Sequence, residues 1–395
     1  MTLSRTHGPT VDVDLAELYR DPYPVFRRLR RDAPVAYVPA AGRYLVTREA
    51  DVVAVDRDPE VFSSMEPDSL MHRVMGDTLL RKDGAAHRRE RAALEAPLKP
   101  RTVRDHWTPV FQQNADVLLD ELVARGAADL FAELAAPLAA RNLASFLGLQ
   151  GVSAEELIRW SQDLISAMGN YQDDPEIWTR ALAARDALLG AVDRAIERVR
   201  AVPDPSVISA MVNAEDPLTV DEIHSDVMVI VGGGLNEPRD ALLTGVYALL
   251  THPDQRRAVE ADPALWKRVF EEALRWVSPI GMYPRRVTRP VELGGVLLQP
   301  GDRLGIVVSS ANRDESVHPR PDDFDLHRTD TVHSAFGGGP HYCAGTWVAR
   351  ASIGQIGLPS LFRRLPGLRL DPGHEVPWGG WVFRGPLSLH VRWDV

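Results

Sequence analysis

Between Asp21 and Pro34 the apolar side chains Tyr23, Phe26 and Leu29 recur on one side of a helical turn, and turn residues open the segment. That pattern predicts a short helix. Two short runs, VAYV (35–38) and YLVT (44–47), suit the arms of a small hairpin. From Ala86 to about Leu250 the apolar spacing is mainly helical, broken at Pro97, Pro100, Gly126, Gly151 and the turn-rich 202–206. Strand-like signal returns after Pro279 in RRVT (285–288), VELGGVLL (291–298) and RLGIVV (303–308), and LSLHVRW (387–393) alternates like a strand. Residues 1–20 carry no strong pattern and are read as a loose lead-in, with 21–395 as one domain. There is no repeat and no βαβ rhythm, so the fold class is mainly α with small β sheets, an α+β arrangement.

Two helices can be placed by their ends. Thr219 and Glu222 fit a capping box, and the helical pattern runs on toward Leu250 and Pro253, roughly 30 residues against a mean of about 11–12. The second has Asp262 as N-cap and Pro263 at the first helical position, and stops before Ser278-Pro279. Midway along the first stand Gly232, Gly233, Gly234 and Pro238. Pro238 removes one N–H and crowds the carbonyl of Gly234, and each glycine costs about 1 kcal/mol relative to Ala. The expectation is a kink there, opening a groove.

Lys and Arg total 45 against 55 Asp and Glu, a net charge of −10, which argues against a general nucleic-acid or anionic-membrane binder. The opening residues lack an apolar core of signal-peptide length, and no apolar run approaches the ~20 residues that span a bilayer. The reading is a cytoplasmic protein. One cysteine, Cys343, excludes a disulfide framework and a cysteine-rich zinc site. A lone cysteine is either a small buried hydrophobe or a reactive thiolate and metal ligand, and its neighbours must decide.

Those neighbours are Ser334-Ala-Phe-Gly-Gly-Gly-Pro-His-Tyr-Cys-Ala-Gly345. Three glycines alone also fit a flexible loop. The spacing Phe336-x-x-Gly339-x-x-x-Cys343-x-Gly345, just before a helix expected from Ala344 onward, resembles the haem-binding loop of the cytochrome P-450 superfamily. The resemblance implies the cytochrome P-450 fold, with haem b between a long distal helix and a proximal cysteine loop. It makes Cys343 the proximal thiolate on the iron, which pushes electron density to iron and favours O–O cleavage. Phe336 belongs to the same loop. Glu272-Ala-Leu-Arg275 resembles the superfamily's E-x-x-R, a structural pair; Glu272 shares a face with Leu265, Val269 and Trp276, which suggests partial burial. For the two haem propionates the resemblance offers His87, Arg91, Arg285 and His341. His87 and Arg91 are four residues apart and reach one helix face, while Arg88 and Arg89 fit a solvated face better.

Where the superfamily's distal helix presents an acid–alcohol pair, this chain has Asn236 and Glu237, followed by Pro238. An amide followed by Glu-Pro, and the tail Trp381-Val-Phe-Arg-Gly-Pro-Leu-Ser-Leu-His-Val391, most resemble bacterial aromatic O-demethylases. That resemblance implies demethylation of syringol- or guaiacol-type methoxyphenols to a phenol or catechol and formaldehyde. With no alcohol in the pair, Glu237 would move protons, and Asn236 would orient it or the peroxide by hydrogen bonding. Phe383 would pack on the substrate ring, with Ile280, Met282, Tyr283, Gly233 and Gly234 lining the pocket. If dioxygen is the oxidant, electrons must come from a separate reductase or ferredoxin docking on Arg81, Lys82, Arg88, Arg89, Lys99 and Arg101; hydrogen peroxide would need none. Two other readings stay open: a hydroxylase of a terpenoid or polyketide, and a non-catalytic haem-binding sensor.

Overall fold

Val35–Val38 and Arg43–Val46 pair antiparallel as the expected hairpin, with Tyr37 opposite Tyr44 and their rings 5.3 Å apart. The structure, a computed structural model, describes residues 8–170, 172–330 and 332–395. They fall into two units: residues up to 65, 243–343 and 375–387 in the first, and residues 66–242, 344–374 and 388–395 in the second.

In the first unit the hairpin extends into a five-stranded sheet ordered Val35–Val38, Arg43–Val46, Arg303–Ile306, Tyr283–Val287 and Phe62–Ser63. Only the contact between Arg43–Val46 and Arg303–Ile306 is parallel. Because strand side chains alternate, the sheet has two apolar faces. One buries Val35, Val46, Phe62, Leu304 and Ile306 against Val52 and Val55 of the helix Glu49–Arg57. The other buries Ala36, Leu45 and Val307 against Phe26 and Leu29 of the helix Tyr23–Asp32. Each fully buried side chain of this size stabilises the fold by about 1.5–3 kcal/mol. The remaining strand signals become a separate two-stranded ribbon, Val291–Leu293 with Val296–Leu298.

The lead-in is more ordered than its sequence suggests. Leu15–Arg20 is a helix capped by Asp14, whose carboxylate accepts the Ala16 N–H at 2.8 Å, and Thr10 bridges to Tyr37. Residues 1–7 of the expected lead-in lie outside the described residues.

The second unit is largely helical: Thr108–Leu122, Ala136–Leu147, Ala154–Met168 and Pro175–Ala201 precede the long helix Val220–Thr251. A small sheet joins Ala127–Asp129, His390–Arg392 and Arg369–Leu370, the middle strand being the alternating tail. The capping box is present: the Thr219 N–H donates to Glu222 at 2.8 Å and the Glu222 N–H to Thr219 Oγ1 at 3.3 Å. The helix is continuous through Pro238, so the midpoint is not a break between two helices. Leu235, Asp240, Ala241 and Leu242 are buried around it, and this packing outweighs the loss of one N–H at Pro238. Among the described residues no helix is long and apolar enough to cross a membrane.

Candidate active site

The cysteine loop is shaped by glycines that other residues could not replace. Gly337 and Gly339 have φ of +67° and +59°, a region that favours glycine. A Cβ on Gly339 would overlap the carbonyl oxygen of Asp56, and one on Gly338 would come within 3.0 Å of the Asp56 carboxylate. The loop is therefore fitted to the helix Glu49–Arg57, which excludes the flexible-loop reading. Its turn is closed by the Cys343 N–H donating to Phe336 O at 2.9 Å and the Gly337 N–H to Ser334 O at 2.8 Å. Phe336 lies against Phe270, with ring centroids 6.5 Å apart. Cys343 is exposed, which excludes the buried-hydrophobe reading. The helix expected from Ala344 begins later: Gly345 is the N-cap and Thr346–Ala349 the first turn. Ala344 and Gly345 continue the turn, since the loop reverses direction before helical hydrogen bonds can start.

The E-x-x-R pair is more buried than its spacing implies, with Glu272 at 7% and Arg275 at 2% exposure. Arg275 grips Glu272 with two hydrogen bonds of 2.8 Å. Arg275 also donates to the carbonyls of Asn312 and Pro321, at 3.0 and 2.8 Å. A third member completes the cluster: Arg328 Nε donates to Glu272 Oε1 at 2.9 Å. Nothing in the sequence singles out Arg328, because its partner lies 56 residues away. The same Asn312 ties this cluster to the cysteine loop, its Oδ1 accepting the Ser334 N–H at 2.7 Å. Leaving one charge of such a cluster unpaired costs about 3–5 kcal/mol.

Beside the loop, Arg285 is buried on its strand, its guanidinium 4.9 Å from the Tyr283 ring centre. Its Nη2 stands 3.6 Å from Asp56 Oδ1, and Tyr283 Oη donates to Asp56 Oδ2 at 2.6 Å. His341 also acts electrostatically on Asp56. Asp56 was not among the sequence-derived candidates. Burial raises its pKa above the ordinary value, against the pull of the Tyr283 hydrogen bond, Arg285 and His341. In the second unit, His87 is buried and Arg91 half-buried on the helix Gly84–Ala93, while Arg88 is exposed. Arg89 is engaged with Glu222 at 2.7 Å and Asp216 at 2.8 Å. The expected docking patch is thinner for it: Lys82 is also committed, to the buried Glu90 at 2.6 Å.

At the centre of the long helix three consecutive glycines do different work, since successive residues point about 100° apart. A Cβ on Gly234 would come within 2.9 Å of Leu143, so Gly234 is a packing residue and does not line a pocket as expected. Gly233 is exposed, and the nearest atom to a Cβ there would be Glu237 Oε2 at 4.0 Å. Glu237 Oε2 is buried and without a hydrogen-bond partner among the described residues. Burial pushes this carboxyl up to about 8, and the neighbouring Asp240 adds to the rise. The Arg239 charge opposes the rise, but by less than burial raises it, and its hydrogen bonds go elsewhere. Arg239 holds Asp240 with Nε at 2.7 Å and Nη2 at 3.1 Å, and donates from Nη1 to Asn236 Oδ1 at 2.8 Å. The Asn236 amide donates in turn to Ser161 Oγ at 3.2 Å and Gly232 O at 3.3 Å. Among the described residues Asn236 makes no hydrogen bond to Glu237; its hydrogen bonds go to Arg239, Ser161 and Gly232.

Of the expected substrate-lining residues in the first unit, Ile280 and Phe383 are brought together by an antiparallel bridge, and both are partly exposed. The bridge is anchored by Gly281 N–H to Val382 O at 2.8 Å and Arg384 N–H to Pro279 O at 2.9 Å. The buried Arg384 guanidinium donates to the carbonyls of Gly380 and Arg20, at 2.8 and 3.1 Å, so the amino-terminal helix holds the tail in place. Met282 is corrected: it is buried in the core with Phe26, Leu45 and Val307. Tyr283 is turned to Asp56 and packs on the sheet.

Among the described residues no three His, Cys, Asp or Glu side chains converge on a metal-sized space. An exposed thiol on a glycine-shaped turn, and a buried cation, Arg285, next to the Asp56 that the turn packs on, fit a haem that brings iron and carboxylates together. The comparisons agree with that chemistry. The cytochrome P450 family model matches residues 264–365, the stretch from the E-x-x-R helix through the cysteine loop. The steroid C26-monooxygenase of Mycobacterium tuberculosis is 31% identical over 381 residues, covering 94% of this chain and 93% of that protein. The nocardicin C N-oxygenase of Nocardia uniformis is 32% identical over 409 residues, covering 99% of each. The crystal structure of CalO2 matches with a TM-score of 0.86 at 31% identity, covering 96% of this chain and 98% of its own. The likeness runs along nearly the whole chain, so the glycine-shaped thiolate loop and the buried E-x-x-R cluster are those of a haem b monooxygenase: the chain belongs to the cytochrome P450 family.

Proposed function

We propose that Cys343 ligates the haem iron and that Glu237 is the proton-handling group on the oxygen side, in an enzyme that oxidises a C–H bond of an apolar substrate. The observation that carries this reading is Glu237: a carboxyl whose buried Oε2 has no hydrogen-bond partner among the described residues, beside an exposed glycine, with its pKa at about 8. At neutral pH it holds a proton that it can give to a leaving oxygen and later recover. Haem b supplies oxygen activation and its transfer to carbon. Arg285, His341, His87 and Arg91 supply donors to the propionates, Phe336 covers the thiolate side, and Ile280 and Phe383 offer an apolar wall to the substrate. Ser161 and Arg239 keep the Asn236 amide fixed within the helix.

The substrate class follows the relatives' names, which point to scaffolds such as steroids, with nocardicin C a second kind of natural product. That favours hydroxylation of a natural-product scaffold over O-demethylation, and no relative named above is an aromatic O-demethylase. O-demethylation of a syringol- or guaiacol-type methoxyarene is the second reading, favoured by Asn236-Glu237-Pro238 in place of the acid–alcohol pair and by the Phe383 ring beside Ile280. A screen of the low-spin to high-spin shift across steroids, macrolides and methoxyphenols separates them. A shift with scaffolds alone supports the first reading. A shift with methoxyphenols accompanied by formaldehyde release supports the second, and no shift with any class counts against both. With dioxygen the electrons come from a separate reductase or ferredoxin, and Arg88, Lys99 and Arg101 remain exposed for its docking.

A further inference from the structure

Asp56 occupies an unusual position for a carboxylate. It is 5% exposed, on a helix whose other buried side chains, Val52 and Val55, are apolar. Its Oδ2 accepts the Tyr283 hydroxyl at 2.6 Å and its carbonyl presses on Gly339 of the cysteine loop. Among the described residues its Oδ1 has no hydrogen-bond partner, although Arg285 Nη2 stands 3.6 Å away. That distance is beyond a hydrogen bond but within strong Coulombic reach. Arg285 is thus held by charge while, among the described residues, most of its donors stay uncommitted; Nη1 donates to Pro284 O at 3.2 Å. A guanidinium carries five N–H donors, so it can serve a second anion without leaving the first.

We propose that Asp56 is a positioning residue of the haem site, sharing Arg285 with a haem propionate and, through its negative charge, holding down the reduction potential of the bound haem. The inference rests on the assignment of Arg285 to the haem. A fixed negative charge near the haem opposes the arrival of an electron, so removing it makes reduction easier. The shared arginine ties that charge to the propionate, and the contact with Gly339 ties it to the thiolate loop.

The test uses the haem-loaded enzyme, with potentials compared on the alkaline plateau of its pH profile, where the raised carboxyl is ionised. Asp56→Asn keeps an acceptor for Tyr283 and removes the charge. The expected result is a normal thiolate carbon monoxide spectrum, with reduction favoured about tenfold, a rise of about 59 mV for one electron. Arg285→Gln should lower haem retention by the apoprotein, and in its background Asp56→Asn should shift the potential by less than in wild type. Tyr283→Phe, which strips the carboxylate of its donor and leaves the charge, should move the potential in the opposite direction to Asp56→Asn. An unchanged potential in Asp56→Asn, with Arg285→Gln still losing haem, overturns the proposal and leaves the assignment of Arg285 intact. Unchanged haem retention in Arg285→Gln overturns that assignment and the sharing with it. Should Asp56→Asn fail to load haem, Tyr283→Phe decides by the sign of its shift.

Discussion

Replacing Glu237 by Gln keeps the size of the side chain and removes its titration. With the wild-type carboxyl at about 8, about nine-tenths of molecules hold the proton at pH 7 and about one-tenth at pH 9. A step that needs the protonated acid should therefore be level up to about pH 8 and fall roughly tenfold by pH 9. A carboxyl at its ordinary value of 4.5 would be almost entirely ionised at pH 7 and give no such knee. Glu237→Gln should abolish the knee and lower the peroxide-driven rate about 10²–10⁴-fold, the usual cost of losing a general acid or base. The same shift has a stability consequence of definite sign. The folded pKa lies above the unfolded one, so the folded chain keeps a proton that the unfolded chain releases between about pH 4.5 and 8. Wild type should lose stability relative to Glu237→Gln as pH rises through that window, by up to about 1.4 kcal/mol per pH unit, and no further above it. Peroxide-driven turnover and urea unfolding of both proteins from pH 5 to 10, with haem content normalised, check both statements. A knee that survives in Glu237→Gln, or a stability difference that does not vary with pH, would refute the reasoning.

Three further outcomes are expected. Gly339→Ala should prevent normal haem loading, because its Cβ would overlap the Asp56 carbonyl at a positive φ; the Soret absorbance per polypeptide reads this directly. Arg328→Met should destabilise the fold by about 3–5 kcal/mol by leaving Glu272 short of a partner, measured as a lowered urea midpoint, and Arg320→Met, exposed nearby, should cost far less. Phe383→Ala should weaken binding of an apolar substrate by on the order of 1–3 kcal/mol in a spin-shift titration, with unfolding little changed.

The elements that were legible in the sequence are those set by local signals. The hairpin, the Thr219 capping box, the Asp262 cap and the one-turn spacing of Glu272 and Arg275 each depend on residues a few positions apart. The missing parts depend on distant partners. Asp56 sits in an ordinary helical stretch and meets Tyr283 from 227 residues away, so nothing beside it marks it. The helix Leu15–Arg20 is too short for a periodic signal and is held by its cap and by the tail. Met282 packs with Phe26, Leu45 and Val307, partners far off in sequence, so its neighbours alone do not tell a core side chain from a pocket wall. The pairing of Asn236 with Arg239 was within reach, since residues three apart share a helix face. At Pro238 local propensity argues against a helix interior, and burial of the residues around it keeps the helix continuous.

The central claim is that Cys343 is the thiolate ligand of a bound haem. The most direct test is the carbon monoxide difference spectrum of the reduced protein, recorded for wild type and Cys343→Ser with haem content matched. Wild type should show the strongly red-shifted Soret band of a thiolate ligand, and Cys343→Ser should lack it while retaining its secondary structure. A red-shifted band that persists in Cys343→Ser, or is missing from haem-loaded wild type, would contradict the account.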